Sequence, residues 1–102
     1  MEGIVLDSIK VIVVCGESEY AENIISYCNG LDRENNHVLT EIVPYDRLDG
    51  RQREVVEDSM YKKIELADEV HVLTKDLGIG ESINKFLGYA KDKGKIVKIL
   101  AF

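Results

Sequence analysis

The sequence predicts a doubly wound α/β fold, a four-stranded parallel sheet of order 2-1-3-4 with three helices, and three observations carry that reading. Short β-branched runs have no polar alternation, as expected of strands buried on both faces. Segments with apolar residues at helical spacing lie between them. The two kinds alternate strictly, β-α-β-α-β-α-β, and crossover connections of that kind are right-handed. At 102 residues the chain is read as one domain over residues 1–102, long enough for one modest core.

Ile9-Lys10-Val11-Ile12-Val13-Val14-Cys15 is the first strand, closed by Gly16. Residues 18–29 follow as a helix, with Ala21, Ile24, Ile25 and Cys28 on one side, Ser18 as its N-cap and Gly30 as its stop. The second strand runs from His37 to Val43 and ends at Pro44. After a polar connection over residues 44–51, Gln52 to Leu66 reads as a helix with Val56, Met60, Ile64 and Ala67 along one side. Glu69 to Thr74 is the third strand. Ser82 to Lys93 is the third helix, with Ile83, Phe86, Leu87 and Ala90 at the helical repeat and Gly94 closing it. Lys95 to Ala101 is the last strand.

Composition narrows the function classes. The net charge of −6 argues against generic nucleic-acid binding, which needs a basic patch to neutralise phosphates. No apolar run reaches the roughly 18–20 residues of a membrane span. Residues 1–7 lack the basic start of a signal peptide. Cys15 and Cys28 read as buried thiols of a cytoplasmic protein rather than as a disulfide. Cys15 precedes a helix start, where a thiolate nucleophile could form, but the loop after it carries no basic residue. His37 and His71 lack partners at metal-ligand spacing, so no metal and no cofactor is expected, and both read as packed or edge residues.

In the order 2-1-3-4 the topological switch point lies between strands one and three, and ligands bind there at the strand carboxyl ends. Two loops meet at that point, Gly16-Glu17-Ser18-Glu19 and Thr74 to Ser82. In the second, Gly78 and Gly80 permit close backbone approach, and Ser82 can cap the third helix or meet a ligand oxygen. Gly16 and Ser18 form the opposite wall, with Glu17 and Glu19 adding negative charge beside any anion. Asp76 and Glu81 are the carboxylates placed for acid, base or ribose-binding work. Asp68, at the amino end of strand three, reads as structural, and Tyr20, Tyr45, Tyr61 and Tyr89 either pack or stack on a base.

Val13-Val14-Cys15-Gly16 with Ser18, Lys63-Ile64-Glu65-Leu66-Ala67-Asp68-Glu69-Val70, Gly80-Glu81-Ser82, Tyr89-Ala90 and Gly94-Lys95 together resemble the nucleoside 2-deoxyribosyltransferase superfamily. The likeness spans about residues 9–101 and is nearest to a short phage- and bacterium-borne branch of unassigned function. It implies a flavodoxin-like domain, a nucleoside or nucleoside monophosphate ligand at the switch point, and often a site completed by a neighbouring subunit, hence a homodimer. It further implies ligand contacts from Gly16, Ser18, Gly80 and Ser82. Family members cleave the N-glycosidic bond through a glutamate that attacks the anomeric carbon. That glutamate's place is taken here by Phe86, the first loop has lost its arginine, and Glu65 replaces a motif aspartate. Two readings follow: a nucleotide- or nucleoside-binding protein with lost or altered catalysis, or an N-glycosidase or deoxyribosyltransferase acting on nucleoside monophosphates through Glu81 or Asp76.

Overall fold

A computed structural model describes residues 9–34, 36–40, 48–75 and 79–102, with residues 18, 37 and 40 described in backbone only. The elements run β1 (Val11–Cys15), α1 (Ala21–Arg33), β2 (His37–Thr40), α2 (Gly50–Leu66), β3 (Glu69–Thr74), α3 (Glu81–Asp92) and β4 (Ile96–Ala101). The four strands form one sheet in the order β2-β1-β3-β4, and every pairing is parallel. This is the doubly wound arrangement that the alternation of elements predicts. Among the described residues, no helix is long and apolar enough to cross a membrane.

The sheet's two faces are covered unequally. Val13, Cys15, Val70 and Val72 share one face with Met60 and Ile64 of α2 and with Ile83, Phe86, Leu87 and Ala90 of α3. Ile12, Val14 and Leu73 share the other with Ile24, Cys28 and Leu31 of α1. The thiols of Cys15 and Cys28 therefore lie in different layers, both buried, and no disulfide joins them. Phe86 is the largest of the fully buried side chains, and its ring meets Tyr61 edge-on at 5.4 Å between centroids. Tyr61 in turn tilts against Tyr89 at 4.7 Å, so two of the tyrosines considered for base stacking are packed together.

β1 begins at Val11 rather than Ile9, α3 spans Glu81–Asp92, β4 begins at Ile96, and three further differences from the sequence reading have a local reason. The first helix does not stop at Gly30 but continues to Arg33, because Leu31 belongs to the buried α1 layer and holds the last turn down. A short 3-10 turn over Ser18–Tyr20 leads into it, so Tyr20 and not Ser18 stands at the cap position, without a side-chain cap bond. The second helix begins at Gly50, ahead of Gln52. Asp49 accepts from the backbone N–H of Gln52 at 2.8 Å while the Gln52 side chain accepts from the N–H of Asp49 at 3.0 Å, a reciprocal capping box. At the far end of α3, Gly94 does close the helix. Its φ of 73° lets Gly94 N–H reach the Lys91 carbonyl and Lys95 N–H the Ala90 carbonyl, each at 3.0 Å. The part of the predicted second strand beyond Thr40, together with Pro44 and Tyr45, lies outside the described residues.

Asp68 links the amino ends of β1 and β3. Its side chain accepts from Val11 N–H at 2.8 Å, and its own N–H donates to the Val11 carbonyl at 2.7 Å. The structural reading of Asp68 thus has a concrete partner. Strand β4 forms one border of the sheet, with Ile96, Ile99 and the following Phe102 exposed. Because Phe86 fills the space between α2, α3 and the sheet, Phe86→Ala is expected to lower unfolding free energy by about 3–5 kcal/mol in urea titration, with α3 retained.

Candidate functional site

The two loops of the switch point do meet. Gly16 and Glu17 after β1, Thr74 at the end of β3, and Ile79 and Gly80 before α3 line one narrow crevice whose walls are nearly in contact. Gly16 is there for close approach: a Cβ on it would lie 2.6 Å from Ile24 Cδ1 and 3.0 Å from the Leu73 carbonyl oxygen. Gly80 serves the same purpose with ordinary backbone angles (φ −68°), since a Cβ there would overlap the Glu17 carboxylate. Glu17 therefore reaches across from the first loop and rests against the second.

Gly80 is itself the N-cap of α3 and makes no side-chain cap bond, so Ser82 lies within the first turn rather than capping it. Glu81 opens the helix and is exposed. Gly16, Gly80, Glu81 and Ser82 gather at the carboxyl end of the sheet as expected, together with the backbone of Ser18 in the 3-10 turn. Asp76 and Gly78 lie outside the described residues. Phe86 is only 1% exposed, a core position rather than a wall of the crevice. Glu65 accepts from the Tyr89 hydroxyl, which holds the Tyr89 pKa above its ordinary value, and the Glu65 carbonyl accepts from Lys95 Nζ at 3.0 Å.

A second concentration of polar chemistry occupies the α1 face near the amino ends of the strands. Glu69 and His71 of β3, 2% and 3% exposed, sit on the face that Ile12, Val14 and Leu73 otherwise keep apolar. Lys10 Nζ meets Glu69 Oε2 at 2.9 Å, Lys98 Nζ meets Oε1 at 3.2 Å, and His71 Nε2 lies 2.9 Å from Oε1. Bonds to His71 and Lys10 outweigh the penalty of burial, with Lys98 adding to them, and lower the Glu69 pKa from 4.5 to about 2. An ionised carboxylate only accepts, so His71 Nε2 carries the proton. On its other side, Nδ1 is hydrogen-bonded with the Tyr27 hydroxyl at 2.7 Å. Burial first, and then the charges of Glu34 and Glu69, raise the Tyr27 pKa, which keeps that hydroxyl a donor.

This chain of groups borders a cavity of about 350 Å³, walled by Lys10, Glu69, His71 and Lys98 on the sheet side and by Leu31, Glu34 and Asn36 on the α1 side. Sequence reasoning assigned His71 to packing and did not weigh Tyr27. The signal was present in the alternation Glu69-Val70-His71-Val72, which puts two polar residues on one face of a strand flanked by apolar neighbours. The parallel register then brings Lys98 beside His71. Among the described residues, no group of three His, Cys, Asp or Glu side chains is arranged to hold a metal ion.

Comparison of the chain with family models, with curated proteins and with solved structures returned no match.

The Glu69 network gives stability a defined pH dependence. The folded state favours the ionised carboxylate, so its contribution is complete above pH 4.5 and declines as pH falls toward 2. Glu69→Gln is expected to cost on the order of 2 kcal/mol at neutral pH, less than the full shift implies because both lysines are half-exposed. In paired urea titrations the gap between the two proteins should close between pH 4.5 and 2.

Proposed function

We propose that the chain binds a nucleoside at the switch-point crevice and does not cleave it. The observation that carries this reading is Phe86: at the place where the resembling enzymes hold their nucleophile, this chain has a phenyl ring sealed in the core. A phenyl ring forms no glycosyl ester, so the two-step transfer lacks its covalent intermediate.

The crevice favours the sugar over a phosphate. Glu17, lying against Gly80, is an acceptor for ribose hydroxyls, in the manner of the acidic residue that meets the sugar in dinucleotide-binding folds. The same charge opposes a phosphate, and Lys75 is the single basic residue that the two loops carry to offset it. The nucleotide reading therefore narrows to a nucleoside. The homodimer that the resemblance implies belongs to the same proposal and is checked by sedimentation.

One feature favours the second reading, hydrolysis of the N-glycosidic bond: Glu81 is exposed at the start of α3, beside Gly80. The two readings separate in one set of measurements. Incubation with deoxynucleosides and their monophosphates should release no free base. Release that disappears in Glu81→Gln would establish the enzyme instead. Calorimetric titration should show nucleosides binding more tightly than the matching monophosphates, and Gly80→Ala, which displaces Glu17, should abolish the signal. Absence of binding by any nucleoside at millimolar concentration would remove the site.

A further inference from the structure

The cavity on the α1 face carries both signs of charge and an apolar floor, and it lies at the opposite end of β3 from the switch-point crevice. Lys10 and Lys98 stand on different oxygens of the single buried Glu69 carboxylate, yet their side chains remain 61% and 52% exposed. Each ammonium has three donors, and the bond to Glu69 uses one of them. Two cations around one anion leave positive charge at that wall. Another carboxylate bridging Lys10 and Lys98 would complete a ring of alternating sign. Glu34, in the turn that closes α1, supplies the compensating negative charge across the cavity.

The two lysines and two glutamates of the lining sum to zero, so a ligand bearing both signs is matched at both walls. Ile12 and Leu31, buried at 2% and 8% exposure, underlie the cavity as its apolar floor. The volume, about 350 Å³, falls at the small end of the roughly 300–1,000 Å³ range of ligand pockets. We propose that this cavity binds a free aliphatic α-amino acid. Its carboxylate bridges Lys10 and Lys98, its ammonium faces Glu34, and its side chain covers Ile12 and Leu31. This site is independent of the nucleoside reading.

Three probes of one carbon skeleton test it on the whole chain: L-leucine, 4-methylpentanoate, which lacks the amine, and isoamylamine, which lacks the carboxylate. Binding is followed by amide chemical shifts in NMR. L-leucine at millimolar concentration should move the amides of Glu69, His71 and Lys98, and each singly charged analogue should bind about tenfold more weakly, as expected for loss of one charge-assisted contact. Lys98→Met should weaken L-leucine by a similar factor. Glu34→Gln, on an exposed turn where folding is not at stake, should reduce L-leucine to the affinity of 4-methylpentanoate. Adenosine should not displace L-leucine, and Gly80→Ala should bind it normally, so either site can fail without the other. No shift with L-leucine, equal binding of 4-methylpentanoate, or undiminished L-leucine binding in both Lys98→Met and Glu34→Gln would overturn the proposal.

Discussion

A parallel sheet must be covered on both faces, and this chain has three helices with which to do it. Two of them, α2 and α3, lie over one face and build a dry core around Phe86. Among the described residues, the other face has α1 alone. One helix is about 10–12 Å across and neighbouring strands are about 4.8 Å apart, so a single helix does not span four strands. What α1 leaves uncovered must be closed by side chains instead. Glu69 and His71 occupy that stretch, and the stems of Lys10 and Lys98 reach over it.

That constraint also explains why a carboxylate survives burial there. An isolated ionised glutamate among apolar side chains would lose several kcal/mol of hydration. Glu69 avoids this by drawing three donors from three places: the approach to β1, its own strand and the border strand β4. Each donor is fixed by the parallel register, in which Ile12 aligns with Glu69 and His71 with Lys98. The network therefore ties β1, β3 and β4 together on the face where packing is thinnest. Asp68, one residue earlier, does the same through the backbone of Val11.

Most of the fold was legible because each element carries redundant signals. The α3 stripe Ile83, Phe86, Leu87 and Ala90 and the closing Gly94 agree with one another, and the helix ends where they say. Gly30 misled because a glycine after an apolar stripe resembles a stop, while the buried Leu31 one position later decided the outcome. The capping box at Asp49 was readable in the spacing Asp49-x-x-Gln52 but was passed over for the apolar stripe that follows. At the candidate sites, the gathering of Gly16, Gly80 and Glu81 follows from topology alone. The position of Glu17 against Gly80 does not, since it depends on where one flexible side chain comes to rest. The Tyr27, His71, Glu69 chain needs contacts between residues 44 positions apart, which no local pattern encodes.

The chain has five tyrosines and no tryptophan. Tyr61 and Tyr89 pack together on the α2 and α3 side, whereas Tyr20 and Tyr27 lie on the α1 side. The near-ultraviolet dichroism of the protein is consequently a two-sided optical record. The coupled Tyr61–Tyr89 pair contributes the band that reports the dry layer. Tyr27, bonded to His71, reports the α1 layer. Single Tyr→Phe replacements on each side would let loosening of one layer be watched while the other stays intact, without introducing a foreign fluorophore.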